Sequence, residues 1–335
     1  MSGIMAPCRM EDWITRRRPY FAMSGKLKHT AWWRVPGVVA GFALFLAILP
    51  GLVPADSSDG DALFWRIDRE GDVAGYLLGT VHSEDPRVLE YREEFLDMLT
   101  ACDTFAMEMV PDLPTMRRLM DAMRQPAGAD LREQLGAERF DRVVEALSGY
   151  GVTGPNARQL KPWAVMMILS MPPPKSGLFM DFSLSLRASG AGLDVVGLET
   201  LQEQLSFLDD LELPAQIEML DQAVAEVDRV DETHTRLVDI YLVGSLDRLQ
   251  AESDAEMSVL SPKTREYFQA EGIDRRNARM LKNALPLLDE GCAFIAVGAL
   301  HLPGEAGLVN GFQSEGFGLV PMPSPFPAAV SEVRP

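Results

Sequence analysis

GYLLGTVH, residues 75–82, is an apolar run that stops on a histidine, and AFIAVGALH, residues 293–301, stops the same way. Histidine occurs only four times in 335 residues, and in both runs it follows a glycine by three positions: Gly79-Thr80-Val81-His82 and Gly298-Ala299-Leu300-His301. Short apolar runs bounded by glycine-containing polar stretches read as strands. Upstream, LFWRID (63–68) is separated from the first of them by REGDVA, which predicts a hairpin. TFAMEMV (104–110) and LDVVGLET (193–200) add two more strands, and FGLVPM (317–322) reads as a closing edge strand. The segments between carry helical spacing, and 200–290 reads as helix almost throughout. Strands separated by long helices predict an α/β fold: a mixed, mainly parallel sheet flanked by helices, with a helical insertion in the middle of the chain.

Four of these runs finish on a polar group: His82, Glu108, Glu199 and His301. In open sheets of parallel strands, ligands bind beyond the carboxyl ends of the strands, so residues ending several strands share one crevice. Glycine near a strand end admits a close approach of backbone or ligand. Strict alternation would turn Val81 and Leu300 into the core and aim the two imidazoles to the opposite side. Glu108 is the only charge in TFAMEMV, and a carboxylate there is costly unless it is paired, hydrogen-bonded or metal-bound. Two neutral imidazoles and a carboxylate make a catalytic metal set, in which a bound divalent cation activates water and polarises a carbonyl. His82, His301 and Glu108 are therefore the expected metal ligands, with whichever of Glu108 and Glu199 is not a ligand serving as general base. A nitrogen and oxygen donor set suits Mn, Co or Zn alike.

Each residue has a plainer reading. A histidine at a strand end is commonly a hydrogen-bonded structural residue, and Glu199 in GLET can cap the next helix. His234, in VDETHTRLVDIYLV, reads as a packed or surface helix residue. Arg276 either faces the crevice, binding a substrate carboxylate or a developing oxyanion, or is exposed or paired with a glutamate. Lys161 reads as a helix-boundary residue, and Asp181 as a structural acid.

Residues 1–55 differ from the rest. Seven basic side chains precede the uncharged run VPGVVAGFALFLAILPGLVPA, the pattern of an export signal. Cleavage after Ala55 gives a periplasmic or secreted protein; retention leaves an inner-membrane anchor at 35–54. The domain is expected over 56–323 and a loose tail over 324–335. Removing 1–55 takes away more bases than acids and leaves the chain more negative than its full-length −18. Such a surface repels phosphate backbones, which excludes nucleic acid as a partner. Cys102 and Cys292 each stand just ahead of a strand, so they bridge if those strands are neighbours and are otherwise two buried thiols.

FWRIDREGDVAGYLLGTVHSEDPRV, TFAMEM, LKPWAV, VVGLETLQEQL, DRRNARM and FIAVGALHLPGEAGLVNGFQSEGFGLVPM together resemble the TraB/PrgY/GumN family. That family is related to the TIKI proteases and, more distantly, to the erythromycin esterase and ChaN-like proteins. The resemblance covers roughly 61–323. It implies that His82, Glu108 and His301 occupy the family's motif positions, with Glu199 and Arg276-Asn277 at other polar positions. It also implies a divalent-metal hydrolase of the TIKI type acting on a peptide or small-molecule substrate. The alternative is a non-catalytic binding protein that captures a peptide, a metal or a haem-like ligand in the same crevice.

Overall fold

The computed structural model describes residues 61–327. The expected signal or anchor at 1–55 and the end of the expected tail, from 328, lie outside those residues. The described chain is an α/β fold built on a six-stranded mixed sheet. Its strands are β1 (Phe64–Arg69), β2 (Asp72–Thr80), β3 (Thr104–Met107), β4 (Asp194–Gly197), β5 (Ala293–Gly298) and β6 (Gly318–Pro321). Their order across the sheet is β4-β3-β5-β2-β1-β6. Pairs β4–β3, β3–β5 and β5–β2 are parallel, while β1 runs antiparallel to both β2 and β6.

The first hairpin turns on two residues rather than the six expected. Glu70 and Gly71 both have positive φ, 52° and 95°, as a tight turn matched to strand twist requires. β5 lies inside the parallel part and is buried along almost its whole length, which is why its sequence is a continuous apolar run rather than an alternating one. Phe294 on β5 packs against Phe64, Phe95 and Phe105, joining strands and helix into one core.

A second apolar cluster belongs to the helical segments. The helix Pro162–Leu169 is buried at every position, with Pro162 starting it from the Lys161 boundary. Leu205, Phe207, Met219, Leu220 and Phe268 pack into the same cluster. This is the helical insertion that the sequence predicts, and it is drawn from two stretches of chain, before and after β4. A capping box between Thr200 and Glu203 opens the helix Leu201–Asp209. The cap is therefore Thr200, and the reading of Glu199 as a cap is corrected.

Cys102 and Cys292 form a disulfide, with Cα atoms 4.6 Å apart. They precede β3 and β5, which are direct neighbours, Thr104 lying opposite Ala293. The bridge closes a loop spanning 190 residues, a separation for which the chain-entropy argument gives about 5 kcal/mol of stabilisation. The expected loose tail is partly corrected. Arg92 donates its amide to the Pro325 carbonyl, and the Phe326 ring is buried between Tyr91 and Tyr241. Among the described residues no helix is long and apolar enough to cross a membrane.

Candidate active site

The parallel strands β2, β3, β4 and β5 all deliver their carboxyl ends to one edge. His82, Glu108, Glu199 and His301 lie one to three residues past those ends, since the strands stop at Thr80, Met107, Gly197 and Gly298. They are loop residues held by the sheet rather than its last members.

Glu108 is the hub on one side. Its Oε1 accepts the Gly298 amide at 2.7 Å, while its Oε2 accepts Arg276 Nη2 at 2.8 Å and the Gln204 amide at 3.1 Å. Arg276, only 1% exposed, also donates through Nε to Glu199 Oε2 at 2.7 Å, and Arg279 reaches Glu199 Oε1 at 3.0 Å. Arg276 stands in the first turn of the helix Arg275–Glu290, directly after a π-helical turn, Phe268–Asp274. Insertions of that kind recur where a side chain must be re-aimed for function. Arg276 is thus the glutamate-paired arginine of the plainer reading. Burial pushes the Glu108 carboxyl up, but Arg276, His301 and the Gly298 amide outweigh it and hold the carboxyl below its ordinary range. Glu199 goes the other way: burial, with the charge of Glu108, raises it against the pull of Arg276 and Arg279. The two glutamates share one buried cation, and their environments separate them.

His301 closes a tight 3-10 turn, Ala299–His301, rather than ending an extended strand. Alternation therefore fails there. Ala299 and His301 are buried, whereas Leu300, expected inside, is half-buried at the edge of the core. Gly79 makes the turn possible, since a Cβ on it would sit 2.8 Å from the Ala299 Cα. Asn277 donates its amide to the Ala306 carbonyl at 2.9 Å, so its Oδ1 faces His301 Nδ1 at 2.6 Å and must accept. That bond places the imidazole proton on Nδ1 and leaves the lone pair on Nε2. Burial drives the His301 pKa down to about 4, so the ring is neutral at pH 7. Its Nε2 stands 3.8 Å from Glu108 Oε1. Two acceptors therefore face one another across a gap.

His82 has other company. Its ring stacks on Phe179 at 3.9 Å between centroids, and its Nδ1 lies 3.3 Å from Asp181 Oδ2. Asp181 also accepts a short hydrogen bond from the Thr80 hydroxyl. His234 Nε2 approaches the His82 carbonyl at 3.4 Å, and burial lowers the His234 pKa. The crevice at this edge is lined by Thr80, His234, Tyr241, Gly298 and His301, among others. His234, read from sequence as packed or surface, is a wall residue of the crevice; Asp181, read as structural, orients His82. The three histidines of the described residues, His82, His234 and His301, all stand in this neighbourhood. Scarcity was the available signal: a chain with four histidines in all still spends one on His234. Nothing in the sequence marked Gln204 as a partner of Glu108.

The expected ligand set does not fit a resident metal ion as arranged. Among the described residues no group of three or more His, Cys, Asp or Glu side chains can hold one, so His82, Glu108 and His301 do not form such a cluster. The chemistry agrees, because the cation beside Glu108 is Arg276, which with Gln204 takes one carboxylate oxygen while the Gly298 amide takes the other.

The fold and this edge define an α/β protein whose buried glutamate, arginine and histidine groups converge past the carboxyl ends of parallel strands. The TraB/PrgY/gumN family model matches residues 63–321, and the chain belongs to that family. No curated protein and no solved structure matches the chain.

Proposed function

We propose that the protein is an exported hydrolase that cuts a peptide or ester bond in the crevice beside His301. The observation that carries this is the pair of facing acceptors, His301 Nε2 and Glu108 Oε1, 3.8 Å apart. A water donating one hydrogen to each, at about 2.8 Å, spans that gap and has its oxygen directed by both. A neutral imidazole with its other nitrogen fixed by Asn277 is suited to take a proton from that water as it attacks a carbonyl. Glu108 holds the second hydrogen and stabilises the imidazolium that forms, which then gives its proton to the departing amine or alcohol as the scissile C–N or C–O bond breaks. Arg276 acts through Glu108, keeping it ionised, as a positioning residue. Export is supported by the basic and apolar pattern of 1–55 and by the Cys102–Cys292 bridge, which suits a periplasmic or extracellular compartment.

The test is hydrolysis of peptide and ester libraries by untagged protein, beside His301→Gln and Glu108→Gln, each with and without a chelator. Turnover in the wild type, with kcat lowered about a thousandfold or more in His301→Gln at unchanged melting temperature, is the expected result. Turnover that survives chelation assigns water activation to the two side chains alone. Loss on chelation that Mn, Co or Zn restores overturns the assignment of water activation to these two side chains alone. Full activity in His301→Gln overturns the assignment. A ligand-induced thermal shift without any turnover makes the crevice a capture site instead.

A further inference from the structure

A second cavity, of about 350 Å³, lies among the helices Leu213–Glu226, Val230–Val243 and Leu246–Met257. It adjoins the crevice: Ser170, Val230, Thr233, Ser253 and Glu256 line both. Its size falls at the lower end of the range of small-ligand sites, about 300–1,000 Å³. The floor is apolar: Leu169, Met219, Met257 and Leu260 are buried members of the helical core cluster. Methionine there suits a pocket that adapts to irregular apolar shapes.

The walls carry five charged groups: Glu226, Arg229, Arg236, Glu252 and Glu256. Arg229 pairs with Glu226 at 2.9 Å, and Arg236 pairs with Glu252. Both bases are engaged by acids, which leaves one carboxylate in surplus. That carboxylate is Glu256, an exposed residue that lines both the cavity and the crevice. Partial desolvation against the helices, with the charge of Glu252 and against the pull of Arg236, raises its pKa. A cation placed beside it would relieve that unfavourable charge.

We infer that this cavity is the specificity subsite of the crevice and takes an apolar peptide segment carrying an amine or guanidinium group, with Glu256 as the receptor for that cation. The inference deepens the hydrolase reading and rests on the crevice being where the substrate lies. Apolar side chains occupy the methionine-lined floor, and the basic group reaches Glu256 where the cavity joins the crevice. The segment beyond it runs toward Thr233 and His301, lining residues of the cavity and the crevice respectively.

The test is calorimetric titration of the full-length protein with three acetylated, amidated tripeptides, Leu-Leu-Lys, Leu-Leu-norleucine and Leu-Leu-Glu. The wild type should bind the lysine peptide about tenfold more tightly than the norleucine one, the worth of one charge-assisted hydrogen bond. Glu256→Gln should remove that preference, and Glu256→Lys should transfer it to the glutamate peptide. A defect in folding weakens all three peptides alike and cannot exchange their order. Equal affinities in the wild type, or a lysine preference that persists in Glu256→Gln, overturn the subsite. Binding is read without turnover, so the two proposals fail separately. Peptide discrimination in a protein that hydrolyses nothing leaves the subsite standing, and hydrolysis indifferent to Glu256 leaves only the catalytic reading.

Discussion

The two Gly-x-x-His endings are alike in sequence and unlike in structure. After β2 the Ser83 amide bonds back to the Val81 carbonyl, and His82 between them emerges half-buried against Phe179 and Asp181. After β5 the chain tightens into a 3-10 turn, and His301 is buried between Asn277 and Glu108. An acid, Asp181, lies beside one imidazole; an amide partners the other, in a setting that keeps it neutral. The difference teaches that a shared motif delivers a ring to a sheet edge, while its neighbours from distant helices decide its chemistry. It also divides the edge into a buried half around Arg276 and a wetter half around Asp181.

The strongest way to break this division is Arg276→Met. On the buried half it strands Glu108 and Glu199 without their shared cation, and a cost of about 3–5 kcal/mol is expected in urea denaturation. A loss below about 1 kcal/mol would show that the buried half is not held by its ion pairs.

Acid sharpens the comparison next. The unfolded chain protonates His301 near pH 6.5, whereas the folded protein resists until about pH 4. The unfolded state therefore binds more protons between those values, so stability falls as pH drops from 6.5 to 4 and this contribution levels off below. The full effect is roughly 3 kcal/mol. Denaturation of wild type and His301→Gln across that range should differ by this slope, and parallel curves would contradict a neutral, buried His301.

Gly79→Ala probes the junction of the halves, since its Cβ would meet the Ala299 backbone at 2.8 Å. Overpacking against backbone should cost about 1–3 kcal/mol, measured as a lowered midpoint at unchanged slope. The smallest effect belongs to Asp181→Asn. It replaces a partly exposed partner of His82 and should change stability by less than about 1 kcal/mol. Urea denaturation checks it, and a loss of about 2 kcal/mol or more would mean that the wetter half is held by its ion pair as firmly as the buried one.

Much of the architecture was legible in order along the chain. The apolar run of β5 and the hairpin of β1 and β2 announce themselves through composition and turn residues, because strand and turn preferences act over a few residues. The cysteines were legible as a conditional statement, true once β3 and β5 proved adjacent. His82, Glu108, Glu199 and His301 were legible as strand-end residues, since parallel strands place their carboxyl ends on one edge. What the sequence could not supply was which of them touch. Glu108 meets Gln204 and Arg276, 96 and 168 residues away, and His301 meets Asn277 on a helix entered through a π-turn.

By itself, then, the sequence determined the strands, the glycine-spaced histidines at their ends and the scarcity that made those histidines worth following. The tertiary structure alone decided that Arg276 is the cation between Glu108 and Glu199, that Leu300 is only half-buried and that His234 joins the crevice wall. The reason is the range of the forces involved. Backbone preference is set by neighbours in sequence, whereas charge and protonation are set by neighbours in space, and in this chain those come from helices folded back from far along it.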